Sequence, residues 1–364
     1  MQIAKKRFGA LVLGICLLVA LAFGGHSVAQ AASWWPDENK NELTVYATGN
    51  KELQKDLADA GAYVLLFKVA EAVPEDNYQA FTYKYAGRFG SGPVPTPEVG
   101  DPYAKEKWQE IAREAALKVE KGESDPPIGS GDFKAPEYNV KMSGLGDGIY
   151  LAVIFSHKSY EWEKDESGDA TGSTVITGAR AIYTFEPQLI ALPSKSDNGS
   201  ESASSDSDDW QKKLTIHLKP KVEERYGSLT INKDVVGETS DESATFVFHI
   251  VDTETGGEKY ENYAAITWPA ANQTTVTHIP AGMEVTVTEQ YEGARFDADG
   301  SAQEVTIKAD ADEGAPVSVS FTNKGNNNET GGGNGIQNNF ELRETEGESA
   351  SAWDWTWTKT PSEQ

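Results

Sequence analysis

Leu229-Thr230-Ile231-Asn232-Lys233 alternates apolar with polar side chains, the period-two pattern of a strand that buries one face. The register that turns Leu229 and Ile231 inward turns Lys233 inward too. In Val285-Thr-Val287-Thr-Glu289 the same parity buries Glu289, and in Val317-Ser-Val319-Ser-Phe321-Thr-Asn323 it buries Asn323. Taken singly, each polar residue reads as a strand end emerging into solvent, or as a rim carboxylate in the case of Glu289. Three that agree in parity within one small β-unit point to a shared chemical purpose, because an isolated buried charge costs several kcal/mol or neutralises itself.

That purpose follows from elementary chemistry. A lysine moved out of water gives up its proton more readily and becomes a nucleophilic amine, whereas a carboxylic acid in the same apolar pocket keeps its proton and can donate it. The amine of Lys233 could then attack the carboxamide of Asn323 while Glu289 polarises the carbonyl and shuttles protons. The products are ammonia and a Lys–Asn isopeptide bond. The inertness of an amide is offset by the effective molarity of reactants held together by a fold.

Residues 227–325 resemble a Cna B-type domain of Gram-positive surface proteins and pilins. The resemblance rests on Gly227-Ser-Leu-Thr-Ile-Asn-Lys233, on Ile279-Pro-Ala-Gly-Met-Glu-Val-Thr-Val-Thr-Glu289 and on Val319-Ser-Phe-Thr-Asn323. It implies Lys233 and Asn323 as the bonded pair and Glu289 as the catalytic residue of bond formation.

The rest of the chain fits an exported, modular β-protein. Its 364 residues exceed one average domain. The N-terminus has the three parts of a secretory signal: basic Lys5-Lys6-Arg7, an apolar run from Phe8 to Phe23, and the small-x-small site Ala29-Gln30-Ala31. Residues 1–31 are therefore expected to be removed. Cys16, the single cysteine, lies inside that segment, and Gly14-Ile15 before it does not suit a lipoprotein signal. An exported chain without disulfides needs another staple. An isopeptide closing a loop of roughly 90 residues would supply ~4–5 kcal/mol by the chain-entropy estimate for a disulfide of that span.

Net charge is −25, and the signal segment contributes cations only, so the mature chain is more acidic still. This argues against nucleic acid and anionic membrane surfaces as partners, and no integral membrane span is expected in the mature chain.

A second unit is expected over 41–221, with strands at Glu42–Tyr46, Ala62–Ala70, Gly148–Phe155, Ala181–Pro193 and Leu214–Lys221. Ala181 through Pro193, followed by Trp210 and Leu214-Thr-Ile-His-Leu-Lys-Pro-Lys221, resembles the N-terminal domain of Gram-positive major pilins. Aligning Gly148–Phe155 on Gly282–Glu289 puts Phe155 where the catalytic acid stands, and the closing strand has no asparagine, so no isopeptide is expected there. Trp108, Ile111, Ala112, Ala115 and Val119 predict a one-sided helix over 102–121, started by Asp101-Pro102 and stopped at Gly122. The fold class expected is mainly β: tandem Ig-like/Cna B-type sandwiches, the first with a helical insertion.

Ser194–Asp209 reads as a solvated loop and 326–335 as a Gly/Asn linker. Beyond it, 336–364 reads as a hairpin or tail in which Trp353, Trp355 and Trp357 share a face. Three indoles in a row could cover the second unit, dock on a partner, or stack on sugar rings. That keeps open an alternative function, a secreted carbohydrate-binding module, with a host or glycan ligand.

Lys219-Pro220-Lys221 stands where a pilin would carry its acceptor lysine, which makes Lys221 and then Lys219 candidates to receive a neighbour's C-terminal threonine. A charged linker is the competing reading. The C-terminus has no LPxTG-type signal, apolar span or basic tail, so anchoring by the ordinary sortase route is not expected. His157, His217, His249 and His278 show no metal-ligand spacing, and there is no nucleophile elbow or phosphate loop. The expectation is a non-enzymatic surface or pilus-related protein without cofactor or metal, whose partners are pilus or surface-protein subunits.

Overall fold

A computed structural model describes residues 40–74, 81–97, 101–195, 210–237, 243–291, 296–298 and 301–325. The chain is mainly β. It opens with β1 (Asn41–Tyr46), α1 (Lys51–Asp59), β2 (Ala62–Pro74) and β3 (Phe81–Tyr85), followed by α2 (Ala104–Glu120). Next come β4 (Gly129–Asp132), β5 (Asn139–Leu145), β6 (Gly148–Ser156), β7 (Glu161–Lys164), β8 (Ala170–Thr177), β9 (Ala181–Phe185) and β10 (Gln188–Leu192). After the short β11 (Ser194–Lys195) and β12 (Trp210–Gln211) follow β13 (Lys213–His217) and β14 (Lys221–Glu224). The remaining strands are β15 (Tyr226–Val236), β16 (Ala244–Asp252), β17 (Glu261–Trp268), β18 (Gln273–Pro280), β19 (Glu284–Tyr291), β20 (Phe296–Ala298), β21 (Gln303–Thr306) and β22 (Val317–Gly325).

The first part combines three larger sheets and the two-stranded β11-β12 pair with helices α1 and α2. Sheets β13-β1-β5, β10-β6-β2-β3 (with β4 on β2) and β14-β9-β8-β7 enclose a core that includes Leu43, Val64, Ile154, Ile176, Tyr183 and Ile216. The outer face of β2 and β6 is covered by α2 through Trp108, Ile111, Ala112 and Ala115, with Val119 partly buried at its end. Strand β6 is consequently buried along its whole length and reads as an unbroken apolar run. Helix α1 is capped by Asn50, whose Oδ1 accepts from the N–H of Glu52 (2.9 Å) and of Leu53 (3.4 Å).

Three expectations need correction here. The stretch 181–193 is two strands in different sheets, β9 and β10, broken at Glu186-Pro187. Likewise 214–221 divides into β13 and β14 around Pro220, and β14 pairs with β9. A proline has no N–H for the ladder, and at both places the chain uses it to change sheets. Helix α2 begins at Ala104 with Tyr103 in the cap position and no side-chain cap bond, while Asp101 instead accepts from the Tyr103 N–H (2.8 Å) and pairs with Lys107.

The second part is a two-sheet sandwich. Sheet β18-β15-β22-β20 faces sheet β17-β16-β19-β21. Burial alternates along β16 and β22 and along β15 from Leu229 to Lys233, and Leu229, Ile231, Phe246, Phe248, Ile250, Val285, Val287, Val319 and Phe321 fill the space between. The first and last strands, β15 and β22, are parallel neighbours.

Candidate functional site

Strand parity carries three polar side chains into that apolar space. On β15 the inward series Leu229, Ile231 continues to Lys233, and on β22 the series Val319, Phe321 continues to Asn323; both polar residues are 0 % exposed. In the parallel register Lys233 stands beside Phe321, and Asn323 beside Val235. The two side chains therefore occupy one face, two positions apart along neighbouring strands. Glu289 comes from β19 of the facing sheet, beside Phe248, with its side chain 4 % exposed.

The three groups meet. Glu289 Oε2 lies 3.6 Å from Lys233 Nζ, and Glu289 Oε1 accepts a hydrogen bond from Asn323 Nδ2 at 2.9 Å. Lys233 Nζ also sits 4.5 Å from the centroid of the Phe246 ring. Phe248 and Phe321, 5.1 Å apart between ring centres, lie on the strands alongside Glu289 and Lys233. The acid thus touches both the amine and the amide. Among the described residues the carboxamide oxygen of Asn323, also buried, has no hydrogen-bond donor.

The setting suits chemistry between neutral groups. Passing a proton from the ammonium of Lys233 to the carboxylate of Glu289 converts two charges in an apolar space into a neutral amine and acid. A half-turn of the Asn323 amide exchanges Nδ2 and Oδ1 and points the carbonyl oxygen at that acid. The arrangement then has a nucleophile, an electrophile and a proton donor held by three strands of two sheets.

Other sequence candidates are placed differently. Lys219 is exposed after β13, and Lys221 is exposed as the first residue of β14. Phe155 is buried against Tyr160 and Trp162 in the core shared with α2, far in character from an acid site. Trp353, Trp355 and Trp357, the signal segment 1–31 and the linker 326–335 lie outside the described residues. Each of the four histidines among the described residues stacks on a tyrosine: His217 on Tyr46 (4.6 Å), His157 on Tyr63 (4.2 Å), His278 on Tyr226 (3.9 Å) and His249 on Tyr263 (4.5 Å). No group of three or more metal-ligating side chains is placed to hold an ion among the described residues, and no helix there is long and apolar enough to cross a membrane.

Sequence reasoning missed Asp252 and Arg225. At the end of β16, Asp252 is buried and accepts from the N–H groups of Thr255 (2.7 Å), Gly257 (3.0 Å), Lys259 (3.1 Å) and Tyr260 (3.2 Å), and from the Thr255 hydroxyl (2.7 Å). The Thr255 hydroxyl first, and then the backbone donors, hold its carboxyl well below the usual carboxylate range. The string Asp252-Thr-Glu-Thr-Gly-Gly257 is the signal that could have found it, an Asx-type turn between two alternating runs.

A family model described as a domain of unknown function (DUF5979) matches residues 229–326, which contain the three buried groups. No curated protein matches the chain. Its structural neighbours include Gram-positive pilins. One is a streptococcal ancillary pilin, 12 % identical over 79 % of this chain and 69 % of that one, with a TM-score of 0.25. A second is the minor pilin GBS52 of Streptococcus agalactiae, 12 % identical over 78 % and 96 % with a TM-score of 0.23. A third is the SpaE basal pilin of Lactobacillus rhamnosus GG, 11 % identical over 74 % and 84 % with a TM-score of 0.29.

Proposed function

We propose that the sandwich over 227–325 closes an intramolecular isopeptide bond between Lys233 Nζ and Asn323 Cγ, with Glu289 as the catalytic residue. The protein is then an exported structural component of a Gram-positive cell surface or pilus, stapled by this bond where other exported domains use disulfides. The observation that carries the reading is the contact of one buried carboxyl with both a buried amine and a buried carboxamide. The Cna B-type resemblance of the three strand motifs that carry these residues supports it.

The steps balance without any added reagent. Lys233 first gives a proton to Glu289. Its neutral nitrogen attacks Asn323 Cγ, and the acid stabilises the charge that develops on Oδ1. In the tetrahedral intermediate Glu289 gives its proton to the former amide nitrogen, which leaves as ammonia as the carbonyl re-forms, and the resulting carboxylate takes the extra proton from the former lysine nitrogen. Glu289 ends protonated, as it was after the first transfer. Nothing in the cycle requires a metal, a nucleotide or a redox partner.

The test is the mass of the intact, purified mature protein. It should weigh one ammonia less than its sequence, and a tryptic digest should contain the Lys233 and Asn323 peptides as one branched species. Recovery of those two peptides unlinked from a folded wild-type protein would end the proposal.

A further inference from the structure

A single residue, Arg225, separates the last strand of the first part, β14, from the first strand of the sandwich, β15. It is bonded in both directions. Its backbone N–H donates to Arg180 O (2.9 Å), and its guanidinium Nη1 donates to Gly178 O (2.7 Å), both in the β8–β9 turn. Its carbonyl accepts from the N–H of Ala281 (2.9 Å), and Nη2 pairs with Asp312, both in the sandwich. Arg225 is 11 % exposed and Asp312 40 %, so solvent screens the ion pair from the Asp312 side, and the hydrogen bonds of the guanidinium to Gly178 and of the backbone to Arg180 and Ala281 add to it.

The turn that receives Arg225 is itself held from behind. Asp56 of α1, 5 % exposed, accepts from the N–H of Ala179 (2.9 Å), the N–H of Arg180 (3.2 Å) and the hydroxyl of Tyr183 (2.8 Å). On the sandwich side, Gly282 approaches the same turn so closely that a Cβ there would stand 2.6 Å from Arg180 Cγ. At the rim, Lys259 pairs with Glu52 (3.0 Å), and Arg180 reaches Glu52 at 3.5 Å; these groups are a third or more exposed. An exposed pair of this kind contributes little to holding two bodies together.

We infer that Arg225 and Asp312 are a joint lock: Arg225 is the pin that makes the first part and the sandwich one rigid body, and without it the chain hinges at residue 225. The reading is independent of the isopeptide, since none of its groups belongs to the buried triad.

Pairs of spin labels would test it in the full mature chain. Ser167→Cys in the β7–β8 turn and Ala271→Cys in the β17–β18 turn are exposed, one on each body, and the mature chain carries no other cysteine. The distance distribution should be narrow in the otherwise wild-type protein. Asp312→Asn and Arg225→Ala should each broaden it at least twofold, Asp312→Glu should stay close to narrow, and Lys259→Ala at the rim should leave it unchanged. Circular dichroism would verify that both bodies remain folded, and Asp312, being partly exposed, can be changed without opening a core. A distribution already broad in the wild type overturns the lock. So does one that stays narrow in Asp312→Asn and Arg225→Ala, or one that broadens as much in Lys259→Ala.

Discussion

Lys233 and Asn323 share one face of two parallel strands and stand two register positions apart, with the carboxyl of Glu289 reaching both from the opposite sheet. Formation of the proposed bond should therefore depend on Glu289 more than on any other side chain. Glu289→Ala should restore the full sequence mass while the sandwich still folds. Its unfolding midpoint should fall by an amount that reflects about 4–5 kcal/mol, the entropy estimate for opening a loop of that length. Intact mass and denaturant titration of the same sample read both effects.

Truncating the acid also leaves a buried amine in an apolar space, whereas replacing both ionisable groups does not. The double variant Lys233→Met, Glu289→Gln should carry no bond, yet should be about 1–4 kcal/mol more stable than Glu289→Ala, because no charge is stranded. Chemical denaturation of the two unlinked proteins side by side gives the difference.

Asp252 makes the sandwich sensitive to acid. Its carboxyl is held below the ordinary range by the Thr255 hydroxyl and the turn's N–H groups. A folded value lower than the unfolded one contributes stability above the unfolded value of about 4, and that contribution is lost as the pH falls towards the folded value. Asp252→Asn should be less stable than wild type at neutral pH and should show a flatter decline below about pH 4. Equal slopes for the two proteins in a pH series of thermal melts would count against the assignment.

Gly227 opens β15 where the loop before β22 crosses it. A Cβ there would stand 1.8 Å from Lys308 O and 2.8 Å from Ile307 Cγ2. Gly227→Ala should force the loop off the strand and cost about 2–3 kcal/mol, visible as a lowered melting temperature. Ser228→Ala, one residue along, is the matched control.

Lys221 is exposed at the start of β14 and open to an acylating partner. If it receives another subunit's C-terminal carboxyl, cell-wall extracts should contain the protein in high-mass ladders that vanish with Lys221→Ala. Persistence of the ladders in that variant would shift the role to Lys219, and their absence from wild-type cells would leave a charged strand end.

The buried triad was legible because a strand offers each side chain only two faces, so Leu229 and Ile231 decide where Lys233 goes. The α2 stripe was legible for the same kind of reason, at period 3.6. The strand break at Glu186-Pro187 and the sheet change at Pro220 were written in the prolines but were overridden by the apolar runs on either side. Helix α1 carried a cap, Asn50, and the spacing Leu53–Leu57, but nine residues offer too little periodicity to stand out. The pairing of Arg225 with Asp312 had no local signal at all. Both lie outside alternating segments, and only the closed topology brings them together.

The parallel pairing of β15 with β22 has a consequence for a chain under tension. A pull entering at Tyr226 and leaving at Gly325 loads all eight register pairs of those strands in shear, rather than opening them one at a time. With Lys233 and Asn323 covalently joined, the pull would pass from one strand to the other at that point. The intervening chain, roughly 300 Å if drawn out at ~3.3–3.6 Å per residue, would then never be paid out. Such a domain would behave as an inextensible link, and in any fibre built from it the give would have to come from elsewhere.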